Sequence, residues 1–400
     1  PRIPRMTPSP RGIPLSCSPI VENSPISPQE TLETYSSLLM PYEIDEIQRY
    51  KSIYFLGYPN AKNKTMNDSS VLCKFNPKDH IAYRYEIIKS LGSGTFGKVF
   101  SAFDHKMKKH VAIKIFSNND DIQNQSDTEA TILAQLNKFK CQNTVKGIDY
   151  FCYRTHPCIT FELLGSNLYV MQIKDCFRPY KLSIVRDYAI QIFRGLHECS
   201  KLNIIHCDLK PENICTTIED PKKVKIIDFG CACYTSSSRP NKFYIQSRYY
   251  RSPEVILRLK YGPKIDVWSA ALIIIELLTG RHVFPGKNEL DMLNLMVDML
   301  GPIPRSMVNA SRKKRTPFFS KDGSLKPSSS FASKKKMMSI QYLFGNDPPP
   351  HLIDFLQKCL MWKPNLRMSA LEALQHPWMQ QKTVNKTSEV EGLPCLMKNL

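Results

Sequence analysis

The most specific segment of this sequence is residues 206–213, which read HCDLKPEN. The segment places an acid, a base and an amide at fixed spacing, namely Asp208, Lys210 and Asn213. A carboxylate can accept or orient a proton, an ammonium can neutralise an anion, and an amide oxygen can bind a hard metal ion. Any one of these residues could equally be a turn or a helix cap. The segment therefore gains meaning only from the motifs around it.

A glycine-rich segment lies upstream, at residues 92–99, which read GSGTFGKV. Glycine lets the backbone approach a phosphate closely, so that its N–H groups can face the phosphate oxygens. Alone, the pattern also fits a dinucleotide site or an ordinary hairpin. A dinucleotide fingerprint continues directly into a helix, whereas here a β-type run begins at Val99.

A lysine on a predicted strand and a glutamate on the next helix form the second constellation. Residues 111–114 read VAIK, and Glu129 lies in a predicted helix over residues 126–137. An ion pair between Lys114 and Glu129 would hold the lysine against the α- and β-phosphates of a nucleotide. Glu129 also fits a capping box with Ser126, and we favour the ion pair.

Two further motifs follow the first segment. Residues 228–230 read DFG after a predicted strand, and residues 252–254 read SPE. The ordered set resembles the motifs of protein kinases, in which Asp208 would accept or orient the substrate hydroxyl proton and Lys210 would steady the γ-phosphate. Asn213 and Asp228 would bind Mg²⁺, with Mn²⁺ as an alternative.

The resemblance implies an α+β fold, the bilobal protein kinase fold, with a β-rich N-lobe and a helical C-lobe. The hydrophobic periods agree with this order. The predicted strands are residues 85–91, 99–103, 111–116, 144–153, 158–163 and 224–227. The predicted helices are residues 42–50, 126–137, 183–200, 267–279, 289–300, 351–362 and 369–375.

Residues 31–382 resemble one family more closely, the dual-specificity tyrosine-regulated kinases of the CMGC group. Cys207 in place of the usual arginine is typical of that family, as is the sequence YIQSRYYRSPE at residues 244–254. Residues 39–43 (LMPYE) and 54–57 (YFLG) resemble the accessory box of its class II branch, and residues 81–85 (IAYRY) resemble the entry to that branch's catalytic domain.

The family resemblance implies roles for individual residues. Tyr244 would be the activation-loop tyrosine that the enzyme phosphorylates on itself, and Arg248 and Arg251 would hold the phosphate. Glu254 would pair with Arg367, and Asp266 would anchor the catalytic loop. The residues that it assigns to ATP binding are Leu91, Gly92, Ser93, Gly94, Thr95, Phe96, Gly97, Lys98, Val99, Ala112, Lys114, Phe161, Glu162, Leu163, Leu164 and Cys215.

Several positions depart from the family pattern. Lys242 stands where the family often has the first tyrosine of Tyr-x-Tyr, Cys215 stands where a leucine usually floors the adenine pocket, and Cys231 replaces a serine. The resemblance implies serine or threonine substrates with proline after the target residue and arginine upstream. Val170 stands where an acidic residue often lines the pocket mouth, which weakens the expectation of the upstream arginine. We also expect Cys215 to open the ATP site to thiol-reactive ligands.

Composition divides the chain into regions. Residues 1–30 are rich in Ser-Pro and Thr-Pro steps and predict a disordered tail. Residues 31–80 form the accessory region and residues 81–382 the catalytic domain, with an N-lobe at 81–163 and a C-lobe at 164–382. A basic insert covers about 301–345, and residues 383–400 are a C-terminal tail.

Charge and cysteine usage suggest the cellular compartment and the class of partner. The net charge is +19, and residues 305–336 alone carry ten Lys or Arg against one Asp. Such runs can be a nuclear address or a polyanion patch, but a solvated insert is the simplest interpretation. Thirteen scattered cysteines and the lack of a long apolar run predict reduced thiols, a cytoplasmic or nuclear location and no membrane partner.

Two function classes remain open. The first is an active, monomeric enzyme with ATP and protein substrates as its partners. The second is a kinase fold that scaffolds partners with little catalysis, against which the intact Lys114, Glu129, Asp208, Asn213 and Asp228 argue. Nucleic acid is not expected to be the main partner, because no aromatic pattern accompanies the basic runs.

Overall fold

In the computed structural model of the chain, the described residues are 21, 24–63, 75–94, 97–237, 244–312, 318–328, 339–345 and 348–381. The chain forms two compact units. The first comprises residues 1–123 and 148–163, and the second comprises residues 124–147 and 164–400. The first unit ends at residue 163, as the predicted N-lobe does, but residues 124–147 group with the second unit. No helix of the described part is long and apolar enough to cross a bilayer.

The first unit is built on a six-stranded sheet with the order β1-β2-β3-β4-β6-β5. Its strands are β1 (His80–Ile81), β2 (Tyr85–Gly94), β3 (Gly97–Asp104), β4 (Lys109–Phe116), β5 (Gly147–Tyr153) and β6 (His156–Glu162). Alternating apolar residues such as Ile87, Ala102, Ile113 and Ile115 form one buried cluster against the sheet. The sequence therefore predicted β2 to β6 as strands, whereas β1 lies outside every predicted strand.

The accessory region forms a second core in the same unit. Helices α1 (Pro28–Tyr35) and α2 (Pro41–Ile47) precede a segment in which Ile53 and Leu56 are buried together with Tyr83. Ile26 and Ile53 exchange backbone hydrogen bonds of 3.2 and 3.0 Å.

The predicted disordered tail is therefore too long. Ser27 caps α1 by accepting a hydrogen bond from the backbone N–H of Glu30, and Ile26 is buried. Residues 24–30 are ordered because this cap and the bridge to Ile53 satisfy their backbone. Residues 1–20, with their Ser-Pro steps, lie outside the described residues.

A buried group of charges ties the accessory region to the sheet. The carboxylate of Glu43 accepts hydrogen bonds from Lys62 Nζ at 2.5 Å, His80 Nε2 at 2.7 Å and Arg154 at 3.3 Å. Burial raises the pKa of Glu43, but hydrogen bonds and charges from His80 and Lys62 outweigh it and lower the pKa to about 2. The carboxylate stays ionised because its partners replace the lost water.

The second unit is mostly helical. Helix α7, which is buried along nearly its whole length, packs against α5. Short strands interrupt the helices where the predicted catalytic segments lie. The elements are α3 (Asp120–Lys138), α4 (Leu168–Lys174), α5 (Leu182–Lys201), β7 (Ile204–Ile205), β8 (Ile214–Thr216), β9 (Val224–Ile226), β10 (Cys233–Tyr234), α6 (Pro253–Ile256), α7 (Lys264–Thr279), α8 (Glu289–Leu300), α9 (Arg305–Arg312), α10 (Pro350–Cys359), α11 (Ala370–Gln375) and α12 (Pro377–Gln380).

Helix α3 begins six residues earlier than predicted. Asp120 and Asp121 occupy its first turn, and the Asn119 side chain accepts the backbone N–H of Asp121 at 2.9 Å. Acidic residues favour a helix N-terminus because they oppose the helix dipole. Ser126 is buried inside the helix, so the predicted capping box of Ser126 and Glu129 is wrong.

The basic insert is partly packed. Its described portions include α9 and a bridge between Phe319 and Leu325. Met307, Val308 and Phe318 are buried, so a purely solvated insert is wrong for these residues. The lysine and arginine runs at 313–315 and 334–336 lie outside the described residues, as does the tail at 383–400.

Candidate active site

The segment HCDLKPEN begins just after β7, which pairs with β10. The fully buried Asp266, near the start of α7, accepts the backbone N–H groups of His206 at 2.8 Å and Cys207 at 3.1 Å. Burial raises the pKa of Asp266, while the two backbone donors oppose that rise. Cys207 has a left-handed φ of 66°, and Asp266 holds this strained turn in place.

Asp208 lies at the centre of a set of hydrogen bonds. Its Oδ2 accepts from Lys210 Nζ at 2.7 Å, and its Oδ1 accepts from the backbone N–H and the hydroxyl of Ser247 at 2.9 and 2.8 Å. Asn213 Nδ2 donates to the Asp208 carbonyl at 2.9 Å. These contacts fix the carboxylate in one orientation beside a cation, so it can receive a proton at a defined place.

Asn213 and Asp228 offer oxygen ligands of the kind that hard cations prefer. The Asn213 hydrogen bonds to Asp208 use Nδ2, which leaves its Oδ1 for another partner. Asp228 has a left-handed φ of 60°, and its carboxylate accepts from Gly230 N–H at 3.4 Å. No cluster of three or more His, Cys, Asp or Glu able to hold a metal occurs among the described residues. The pair fits a metal that takes its remaining ligands from phosphate and water.

The glycine-rich segment spans the turn between β2 and β3 in the first unit. Gly94 pairs with Gly97, and Thr95 and Phe96 between them lie outside the described residues. A Cβ on Gly97 would stand 2.1 Å from the carbonyl oxygen of Ile115, so only glycine fits there. A Cβ on Gly92 or Gly94 would meet nothing within 4 Å, which leaves their backbone open to a ligand.

The other predicted nucleotide residues of the first unit lie on adjacent strands. Val99 on β3 is in register with Lys114 on β4, and Ala112 on β4 with Phe161 on β6. The strand pairing fixes the spacing of these side chains. Leu91, Ser93 and Lys98 lie on β2 and β3, Glu162 ends β6, and Leu163 is the last residue of this unit.

Lys114 and Glu129 are both buried. They belong to the first and the second unit respectively, and their ion pair stays a prediction. The sequence left open a capping box between Ser126 and Glu129. Because Ser126 lies inside α3, that alternative role for Glu129 is removed. Leu164 begins the second unit.

Cys215 and Val170 are the two departures that the structure describes most clearly. Cys215 lies on β8 opposite Lys225 and is buried, which raises the pKa of its thiol to about 12. The thiolate is the reactive form of cysteine, so the geometry argues against the expected reactivity of this residue. Val170 on α4 is 38% exposed, and its side chain is uncharged.

Tyr244 lies beside both arginines that were predicted to hold its phosphate. It is 74% exposed, and the guanidinium carbon of Arg251 lies 4.2 Å from its ring centre. Hydrogen bonding to Arg248 and Arg251 lowers the pKa of the Tyr244 hydroxyl. Arg248 also donates to the carbonyl of Lys287 at 2.7 Å. Lys242 and Phe243 lie outside the described residues.

Arg251 also binds the backbone of Gln246. Its Nε and one terminal nitrogen donate to the Gln246 carbonyl at 3.2 and 2.8 Å, and its other nitrogen binds Glu289 at 2.8 Å. Gln246 has a left-handed φ of 63°. The guanidinium group of Arg251 thus occupies the carbonyl oxygen of Gln246. The next residue, Ser247, donates its hydroxyl to Asp208.

The expected pair of Glu254 and Arg367 forms. Two guanidinium nitrogens of Arg367 bind the two carboxylate oxygens of Glu254 at 2.7 and 2.9 Å, and both side chains are buried. Arg367 also donates to the carbonyls of Met361 and Lys264. A two-point charged contact of this kind fixes geometry more strictly than a single bond does.

Sequence reasoning missed Ser247 and Gln246 as site residues. Both lie inside the segment YIQSRYYRSPE, so their position between Tyr244 and Arg248 was the available signal. Their contacts reach 39 residues back to Asp208 and 23 residues forward to Ser269. Such contacts arise from tertiary folding and leave no periodic trace in the sequence.

The class of protein follows from the first comparison. The protein kinase domain family matches residues 85–379, which contain the glycine-rich segment and the VAIK, HCDLKPEN, DFG and SPE motifs. The chain therefore has the bilobal α+β protein kinase fold, and domains of this class use ATP together with a divalent metal.

The family follows from individual relatives. The chain is 38% identical to human dual specificity tyrosine-phosphorylation-regulated kinase 4, over 91% of this chain and 72% of that protein. It is 36% identical to mouse dual specificity tyrosine-phosphorylation-regulated kinase 3, over 92% of this chain and 70% of that protein. The kinase 2 of Drosophila melanogaster is 38% identical over 90% of this chain and 52% of its own length. The chain belongs to the dual-specificity tyrosine-phosphorylation-regulated kinase family.

The chain spans about half the length of the fly and nematode relatives that it matches. The resemblance to the family, read from Cys207 and residues 244–254, is confirmed.

Proposed function

We propose that this chain is a dual-specificity protein kinase that transfers the γ-phosphate of ATP to serine and threonine hydroxyls of proteins and to its own Tyr244. The observation that carries the proposal is the fixed orientation of Asp208 by Lys210 and Ser247. In the reaction, Asp208 takes the proton of the attacking hydroxyl as that oxygen bonds to the γ-phosphorus and ADP leaves. Lys210 neutralises negative charge on the phosphoryl group while it is transferred.

Asn213 and Asp228 would hold Mg²⁺, with Mn²⁺ as an alternative, and the metal would neutralise the phosphates. Lys114, paired with Glu129, would grip the α- and β-phosphates. The backbone of residues 92–99 would cover the phosphates, while Ala112 and Cys215 would contact the adenine. Support for the glycine-rich segment comes from the open space at Gly92 and Gly94.

The accompanying proposal is that phosphate on Tyr244 is held by Arg248 and Arg251. Most kinases place an arginine before the catalytic Asp for this purpose, whereas Cys207 occupies that position here. A phosphate adds about −1.5 to −2 charges at neutral pH, and two guanidinium groups already contact the Tyr244 side chain.

We further propose that substrates carry proline directly after the phosphorylated residue. Arg251 occupies the Gln246 carbonyl, so that oxygen cannot accept an N–H from the following substrate residue. Proline has no N–H to leave unsatisfied. The neutral Val170 gives no support to a requirement for arginine upstream.

The same proposal includes a monomeric protein that works in the cytoplasm, the nucleus or both, with proteins and ATP as its partners. A catalytically silent scaffold is disfavoured because every predicted catalytic side chain is present. Specific hydrogen bonds hold Asp208, Lys210, Asn213 and Asp228.

The decisive experiment is mass spectrometry of the chain made in bacteria, where no related kinase is present. We expect phosphate on Tyr244 in the wild-type protein and none in Asp208→Asn. A matched variant, Asp187→Asn, changes an exposed carboxylate on α5 and should keep the phosphate. An Asp208→Asn protein that still phosphorylates a Ser-Pro peptide would refute the mechanism.

A further inference from the structure

An open cavity of about 460 Å³ lies in the second unit, and its described lining contains none of the residues assigned to phosphate transfer. Its walls come from the end of α8, the short helix Ile340–Phe344, the last turn of α10 and the segment that follows α10. The volume falls within the range of about 300–1,000 Å³ that is typical of small-molecule sites.

Most of the wall is apolar. Met299 and Leu300 contribute from α8, and Leu360, Met361 and Leu366 contribute from beyond α10. Leu366 is 58% exposed and Met361 is 36% exposed, so the apolar surface continues from the cavity to the solvent. Methionine side chains are flexible and polarisable, so they can adapt to a ligand of variable shape.

The charge of the lining has one sign. Among the residues that the structure describes, Lys363 is the one charged residue that lines the cavity, and no carboxylate of that set lines it. The ammonium of Lys363 has no ion-pair partner among the described residues, unlike that of Lys358 on α10, which pairs with Asp354. Ser339 and Gln357 add neutral polar groups. The wall therefore suits a ligand with an apolar body and one negative group.

We propose that this cavity binds a medium-chain fatty carboxylate. The alkyl chain lies along the methionine and leucine wall, and the carboxylate lies at Lys363. Burial of each methylene strengthens binding about fourfold. An ion pair at a partly exposed ammonium adds up to about fivefold. The site is independent of the proposed kinase activity, since it shares no residue with it.

Isothermal titration calorimetry of the full chain with decanoate, below its micellar concentration, tests the proposal. We expect saturable binding of one decanoate. Octanoate should bind about sixteenfold more weakly because it buries two fewer methylenes. Decanol, which lacks the charge, should also bind more weakly, by about threefold to fivefold. Absence of saturable decanoate binding, or equal affinity for decanol, would overturn the proposal.

Paired variants locate the ligand. Leu366→Glu places a negative charge at the cavity mouth and should abolish decanoate binding, whereas Leu371→Glu alters another exposed leucine, which lies outside the lining, and should not. Lys363→Met keeps the apolar stem and should bring decanoate down to the affinity of decanol, whereas the exposed control Lys260→Met should have no effect. Wild-type affinity in Leu366→Glu, with the fold intact by circular dichroism, would show that the cavity is not the site.

Discussion

The guanidinium carbon of Arg251 lies 4.2 Å from the ring centre of Tyr244, while its nitrogens bind the Gln246 carbonyl and Glu289. One arginine therefore touches both the tyrosine proposed for autophosphorylation and the backbone proposed to select the substrate. Because Arg251 is almost fully buried, it has little freedom to leave either contact. Phosphate on Tyr244 would add a strong anion to a cation that is already positioned.

The first prediction concerns Tyr244 itself. Tyr244→Phe removes the phosphate acceptor, and we expect kcat/KM for a Ser-Pro peptide to fall on the order of tenfold, since one or more charge-assisted hydrogen bonds are lost. Steady-state kinetics with a purified protein would measure this. Tyr249→Phe is the matched control, since it removes a hydroxyl five residues away, and it should change little. Full activity in Tyr244→Phe would contradict the proposed role.

The second prediction concerns selectivity for proline. Arg251→Lys replaces a fork with a single ammonium and frees the Gln246 carbonyl to accept an N–H from a substrate. We expect the ratio of kcat/KM for a Ser-Pro peptide to that for a Ser-Ala peptide to fall about threefold to tenfold, which corresponds to one hydrogen bond. The ratio separates selectivity from any general loss of activity. Arg281→Lys, at an exposed arginine, should leave the ratio unchanged.

Sequence reasoning succeeded where a motif is local. HCDLKPEN and DFG each lie within a few residues, and most of the predicted strands and long helices have the expected type. It was wrong at Ser126 because the Asp120 and Asp121 start signal lay just upstream, and at residues 24–30 because their order depends on a bridge to Ile53. Sequence reasoning could not predict the hydrogen bonds from Arg251 to the Gln246 carbonyl, because a left-handed φ at a glutamine has no sequence signature.

The third prediction revises the reactivity of Cys215. Burial raises the pKa of its thiol to about 12, so at pH 7.5 only about one thiol in 10⁴ to 10⁵ is ionised. We expect iodoacetamide to label the exposed Cys152 and Cys176 well before Cys215, and the Cys215 rate to rise about tenfold per pH unit. Peptide mass spectrometry over a time course would measure the three rates. Rapid labelling of Cys215 at neutral pH, blocked by ATP, would instead support the expectation drawn from sequence.

The last prediction concerns the buried charges of the accessory region. Glu43→Gln leaves Lys62, His80 and Arg154 without their shared carboxylate, and we expect it to lower the free energy of unfolding by about 3–5 kcal/mol at pH 7. The pKa of Glu43 is lowered from 4.5 to about 2, so its contribution in the wild-type protein is present above pH 4.5 and is lost as pH falls toward 2.

The stability difference between wild type and Glu43→Gln should therefore shrink by up to about 3 kcal/mol as the pH falls through that window. Urea unfolding at constant ionic strength from pH 7 down to pH 3 would measure the decline. Glu33→Gln, at an exposed glutamate of α1, is the matched control and should unfold like the wild type at each pH. A difference that stayed constant with pH would mean that Glu43 stabilises this region by packing rather than by its charge. The carboxylate is surrounded by two cationic side chains and the His80 imidazole at 2.5–3.3 Å, so the declining difference is the expected result.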